Sequence, residues 1–292
     1  MTALATAPAI AGRSLRQDAW RRMKRNRAAM ASAVVLTVVA LLAVFAQALS
    51  PHAYDTIDWN AIQAPPDFAA AHWFGTDGNG RDLFVRTLYG ARVSLAVGVL
   101  ATLVSLTIGV AWGAVAGFLG GRVDNAMMRF VDVLYSLPFM FFVILLTVVF
   151  GRSIVLIFVG IGAVEWLTMA RIVRGQALSL KQREFIEAAR ACGVPARGIV
   201  FRHIVPNALG PVVVYATLTV PQVILAESFI SFLGLGVQEP LTSWGVLISE
   251  GAARMGSAPW MLIFPAAFLA LTLFAFNFIG DGLRDALDPK DR

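Results

Sequence analysis

Residues Val93–Gly121 read VSLAVGVLATLVSLTIGVAWGAVAGFLGG, 29 residues without one charged side chain. A helix rises about 1.5 Å per residue, so the stretch more than covers the ~30 Å hydrocarbon core of a bilayer. No water is available at that depth to take the backbone N–H and C=O groups, so a helix is the natural form. Within it Ala101, Ser105, Gly109, Gly113, Gly117 and Gly121 recur every four residues. Such a ladder of small side chains lets another helix approach closely, from this chain or from a second one.

Five more stretches share this character. Ala28–Leu49, Val133–Gly151 and Met255–Gly280 carry no charge; Ser153–Ala170 carries only Glu165, and Ile204–Gln238 only Glu227. Alternating barrel strands would be shorter and polar at every second position. The whole chain of 292 residues is 58% hydrophobic and 14% charged, against about 45–50% and about 25% in soluble domains. The surplus apolar surface needs lipid. The fold expected is an all-α integral membrane protein with six transmembrane helices. Pro138, Pro221 and Pro265 fall in or near these stretches and should bend them.

Charge sets the orientation. With the N-terminus inside, the inner pieces 1–28, 122–130, 171–206 and 281–292 hold 19 of the 24 basic residues, and Arg81, Arg86, Arg92, Arg152 and Arg254 lie outside. Basic residues collect on the cytoplasmic side, so both termini are expected there. The pI near 10.1 is then a topology signal rather than a nucleic-acid patch. The division that follows is a basic N-terminal segment 1–28, a first membrane helix 29–49, an outer segment 50–91, a five-helix core 92–281 and a tail 282–292. Ala46-Gln47-Ala48 after the first run resembles a signal cleavage site, but about 20 apolar residues exceed the usual 7–15, so an uncleaved anchor is expected.

Chemistry is sparse. Lys24, Lys181 and Lys290 are the only lysines and none follows a phosphate-binding glycine loop; GxGxxG, HExxH and GxSxG patterns are absent as well. His52, His72 and His203 look scattered, so no metal site and no catalytic residue is expected. The single Cys192 excludes an internal disulfide and reads as a small buried residue. Thr76–Asp82 lacks the glycine and glutamate of a calcium loop at their required places and reads as an Asx turn entering a helix. Glu165 and Glu227 are carboxylates inside spans, which are costly and often functional. Glu227, followed by Ser228 and Ser231, is either a hydrogen-bonded helix link or a group facing the translocation path. The two together would be the relay of a proton-coupled secondary transporter, the rival reading.

The inner connection 171–206 is the most informative part. Arg171–Cys192 reads as a helix continuing the fourth span, with Phe185, Ala188, Ala189 and Cys192 on one face. Gly193 suits a left-handed cap, Pro195 begins a short second helix and Pro206 ends it. An apolar stripe beside a sharp glycine elbow points to a docking surface.

Glu187-Ala188-Ala189, then Gly193, then Val205-Pro206 resembles the EAA loop of ABC importer permeases. Arg202–Asn207, with His203 where the general pattern has Ile, resembles its variant in the peptide and nickel branch. His72–Asp77, Gly80–Asp82, Tyr89–Arg92, Glu227-Ser228 followed by Ser231–Gln238, Ser243–Gly245 and Phe276–Asp285 are similar to that branch too. The resemblance implies a type I importer permease fold in a bacterial inner membrane. It implies partners: a second homologous permease, two ATPases that carry ATP and Mg, and an extracytoplasmic peptide-binding protein. The chain itself would hold no cofactor, contact lipid but no nucleic acid, and be no enzyme. Oligopeptides are the implied substrate, with dipeptides or nickel as alternatives. Phe185, Glu187, Ala188, Ala189, Cys192, Gly193 and Pro206 would then couple to the ATPase.

Overall fold

The computed structural model describes residues 15–151 and 153–287; Arg13, Arg152, Lys290 and Arg292, used above for orientation, lie outside them. In chain order the helices are α1 (Leu15–Arg25), α2 (Arg27–Val44), α3 (Ala46–Leu49), α4 (Leu83–Leu119), α5 (Gly121–Tyr135), α6 (Phe139–Phe150) and α7 (Ile154–Leu180). There follow α8 (Glu184–Ala191), α9 (Ala196–Ile199), a π turn (Val200–Ile204), α10 (Val205–Phe232), α11 (Trp244–Ala253) and α12 (Trp260–Leu287). Among the described residues the only β structure is two isolated bridges, Asp67 with His72 and Thr76 with Asp82.

Five of these segments, α2, α4, α7, α9–α10 and α12, are long and apolar enough to cross a membrane. Where a sixth uninterrupted span was expected over Val133–Gly151, the chain breaks at Ser136–Pro138 and leaves α6 with 12 residues, fewer than the roughly 20 a crossing needs. Proline supplies no N–H and clashes with the preceding turn. The outward faces carry exposed Leu100, Leu103, Ile108, Phe274 and Phe278, an array a soluble surface would not tolerate.

The broadest packing among the described elements joins α4 to α7. A methyl added at Gly109 would stand 2.6 Å from Met169 Cβ. One at Gly113 would strike the Ala170 carbonyl, and one at Gly117 would stand 2.7 Å from Ala177 Cβ. The ladder's partner is therefore within this chain. Gly121 is not part of it: at φ +56° with nothing within 4 Å, it opens α5 directly after the Gly120 cap, a conformation open to glycine.

The first span is not isolated. Arg92 on α4 donates from Nε and Nη2 to the Ala43 carbonyl of α2, at 3.1 and 2.8 Å. Gly282 of α12 lies against Ala29 of α2. At its C-terminal end, α7 stops at Leu180 rather than continuing to Cys192, because Lys181–Arg183 turn and Arg183 is extended at the start of α8. Pro206 does not end a helix either. It sits in the first turn of α10, directly after the wider π turn, and the helix runs on through it. Pro211 and Pro221 fall inside α10 and Pro265 inside α12.

Candidate functional site

Three constellations stand at successive levels of the molecule. The first is the elbow, at the C-terminal ends of α4 and α7. α8 ends in a Schellman turn: Val194 N–H donates to the Ala189 carbonyl at 3.1 Å and Gly193 N–H to Arg190 at 2.9 Å. Gly193 takes φ +76°, which glycine adopts without strain. The expected apolar stripe divides in two. Ile186 and Ala189 are buried in a cluster with Phe118, Met169, Val173, Ala177, Ile199, Val200 and Ile204. Phe185, Glu187, Ala188 and Cys192 are exposed. Ala189 therefore anchors the elbow to the feet of α4 and α7. Cys192 is not buried, since it caps the open end of α8. Arg174 of α7 grips Asp124 of α5 through both carboxylate oxygens at 2.6 and 2.8 Å, and Lys181 Nζ donates to the Gly117 carbonyl at 3.0 Å.

The middle constellation surrounds Glu227 on α10, which is 0% exposed. Ser94 Oγ of α4 donates to its Oε2 at 3.0 Å, and Ser231 Oγ donates to its Oε1 at 2.7 Å. Ser94 in turn accepts from the Trp244 backbone N–H at 3.3 Å, and the Trp244 indole donates to the Thr87 carbonyl at 3.1 Å. Ser228 is buried alongside, its backbone pressed against Gly245 of α11. One carboxylate thus ties α4, α10 and the start of α11 together. Glu165 stands half-buried on α7 and does not enter this set of hydrogen bonds.

The third constellation caps the bundle at the start of α4, and only its Asx turn is announced locally in the sequence. The Asx turn forms as expected. Asp77 Oδ1 accepts from the N–H groups of Asn79 and Arg81 at 2.8 and 2.9 Å, and Asp82 caps α4 by accepting from Val85 N–H at 2.9 Å. Asp77 Oδ2 also meets Arg81 Nε at 2.7 Å and Arg86 Nε at 3.2 Å, with Asp77 and Arg86 fully buried. Arg86 reaches Glu250 of α11 at 3.7 Å, and Arg81 reaches Glu239 at 2.9 Å. Burial disfavours the Arg81 charge, but Asp77 and Glu239 outweigh it and hold the guanidinium above its ordinary pKa. Burial pushes the Glu250 carboxyl above the usual carboxylate range, against the pull of Arg86. His52 and His72, which look scattered in the sequence, meet here with ring centroids 4.2 Å apart. With Asp82 they form, among the described residues, a group of three side chains that could hold a metal.

Comparison with known proteins fits this architecture. The family described as binding-protein-dependent transport system inner membrane component matches residues 109–292. The N-terminal TM domain of oligopeptide transport permease C matches residues 14–66. The chain is 59% identical to the oligopeptide transport system permease protein OppC of Haemophilus influenzae, over 97% of this chain and 91% of that protein. It is 62% identical to the OppC of Escherichia coli K12, over 97% and 94%. The dipeptide transport system permease protein DppC of Bacillus subtilis is 49% identical over 96% and 87%. A chain solved in inward-facing conformations of the MetNI methionine ABC transporter superposes with a TM-score of 0.54 at 20% identity, covering 70% of this chain and 96% of that one. At that identity the likeness speaks for the fold alone.

Proposed function

The chain belongs to the family of binding-protein-dependent transport system inner-membrane components, and from that premise we propose that it is the C-type permease subunit of an oligopeptide importer. The carrying observation is 59–62% identity, along 97% of the chain, to permeases named for oligopeptide transport. The protein is a multi-pass inner-membrane component and not an enzyme. Membership of this family implies ATPase and binding-protein partners in general.

The finer assembly is our reading: a heterodimer with a second homologous permease, two ATPases on the inner face carrying ATP and Mg, and a peptide-binding protein outside. In this topology the last turn of α5 and α6 together make a broken third crossing, giving six, with both termini inside. The 19-to-5 basic asymmetry supports it.

The geometry suggests how the elbow acts. The exposed side of α8, with Phe185, Glu187, Ala188 and Cys192, is the surface offered to the ATPase. The opposite side is fixed by Ile186 and Ala189 to α4, α7 and the π turn. A push on α8 is therefore delivered to α7 and α10 together, since buried cores rearrange as units rather than deform. Glu227 then links α10 to α4 and α11 near the outer side. This favours the link reading of Glu227; Ser228 and Ser231 support the same contact. The hydroxyl partners of Glu227 and its separation from Glu165 argue against a proton relay.

The deciding experiment purifies the cognate binding protein from cells and identifies its eluted ligands by mass spectrometry. Reconstituted vesicles holding both permeases and the ATPases then measure ATP-dependent uptake of those ligands. Oligopeptides should elute and be accumulated. Elution of dipeptides or nickel alone would overturn the substrate assignment, and uptake driven by a proton gradient without ATP would overturn the importer.

A further inference from the structure

The import reading leaves the outer histidines unused. His52 follows α3 and His72 precedes the Asx turn, yet the chain folds so that their rings stack at 4.2 Å with 18° between planes. His72 Nδ1 lies 2.9 Å from Asp82 Oδ2. One ligand atom from each of His52, His72 and Asp82 falls within 4.8 Å of the others. We propose that these three side chains bind a divalent transition-metal ion of the zinc type, which fastens the outer segment to the head of α4.

The donor set selects the ion. Two imidazoles and one carboxylate suit zinc and its first-row neighbours, whereas calcium and magnesium require mostly oxygen ligands. Ligands at 2.0–2.1 Å from a tetrahedral ion stand about 3.3 Å from one another, and the His72–Asp82 pair is already that close. Both of these residues are buried, at 4% and 1% exposure, so an arriving cation meets a carboxylate shielded from water. The carboxylate is also held in place, because its other oxygen accepts from Val85 N–H. Oriented ligands of this kind bind metal more tightly than mobile ones.

His52 is the adjustable member. In the parallel stack its in-plane lone pair runs beside that of His72 instead of converging on one point, so its ring must swing to complete the site. It is half-buried, and its ring has one hydrogen-bonding contact, Nε2 with the Ala70 carbonyl at 3.2 Å on the exposed side. Water reaching that exposed side would supply the fourth ligand. The bound ion would close the segment between His52 and Asp82 into a loop, restricting the chain outside the membrane.

The test uses the assembled permease–ATPase complex in lipid nanodiscs, stripped with a chelator and titrated with Zn²⁺ against a chromophoric competitor. His52→Phe keeps an aromatic ring for the stack and removes the ligand; His52→Gln, which can still donate to Ala70, serves if the phenylalanine variant fails to assemble. Wild type should hold one more zinc per complex than the variant, at least tenfold more tightly, and zinc should raise the melting temperature of wild type only. Magnesium should do neither. Equal zinc content, affinity and melting shift in wild type and variant would overturn the site. The readout is metal binding rather than uptake, so its failure leaves the import reading standing.

Discussion

Gly117 and Ala177 touch backbone to side chain: a methyl on the glycine would sit 2.7 Å from the alanine's Cβ, with the Arg174 carbonyl equally near. Neither α4 nor α7 can move aside locally, because the same intimacy recurs at Gly113 and Gly109.

Gly113→Leu should therefore force these two helices apart. Overpacking a fitted contact costs about 1–3 kcal/mol, and here the obstacle is backbone, the Ala170 carbonyl. Thermal unfolding in detergent should shift down by several degrees and less assembled complex should be recovered. An unchanged melting curve would show that this face is not clamped.

Asp77→Ala should be among the most damaging single changes. It strips Arg81 and the fully buried Arg86 of their shared carboxylate. Removing one partner of a buried ion pair costs about 3–5 kcal/mol. Fluorescence-monitored stability of the purified chain gives the measurement; a loss near zero would mean that Glu250 and Glu239 suffice.

Glu227 calls for a pair of variants. Glu227→Gln keeps an acceptor for Ser94 or Ser231 and should assemble and transport nearly normally. Glu227→Leu takes the acceptor away from both buried hydroxyl donors, Ser94 and Ser231, at about 1–3 kcal/mol, and should reduce assembled protein. Failure of transport in a normally assembled glutamine variant would show that the charge itself is needed.

On α8, position decides the outcome. Ala188→Trp, on the exposed side, should detach the ATPase while the membrane helices keep their stability, and Glu187→Lys should do the same by reversing charge. Ala189→Trp, aimed into the buried cluster, should instead destabilise the permease itself. Gly193→Val meets no neighbour but must hold φ +76°, at about 1–2 kcal/mol. ATPase co-purification read beside the melting temperature separates these effects; detachment by Ala189→Trp at unchanged stability would contradict the burial.

Topology is tested with reporter fusions near residues 60, 125, 152, 190, 245 and 290, which should read out, in, out, in, out, in. A cytoplasmic signal at 60 would invert the scheme.

The membrane helices were legible because lipid burial leaves long uncharged runs, and the ladder because a small residue every four is the mark of close approach. Asp82 and Gly193 were legible for local reasons, a cap and a left-handed turn. What escaped depends on distant packing. Whether Ala189 or Ala188 faces inward is set by Phe118 and Ile199 against which α8 lies, and the break at Lys181–Arg183 by where α8 must dock. The Arg81–Glu239 bridge joins residues 158 apart, and the His52–His72 stack depends on how a segment without helices folds back. α11 was missed because its ten residues follow an apolar span that masks their start, although Ser243 caps the helix.

From Val200 to Glu227 the chain runs as one unbroken rod of about 40 Å at 1.5 Å per residue. Its lower end is seated in the elbow cluster and its upper end is tied at Ser94. A rod works as a lever: tilting this one by about 5° would carry the far end through about 3.5 Å, comparable to the width of a side chain. Pro211 and Pro221 lie along its length, each removing a backbone bond and so lowering the bending stiffness at its own turn. The gearing between the inner and outer faces would then depend on where along α10 the rod yields, and replacing either proline with alanine would alter the transmission ratio without touching either end.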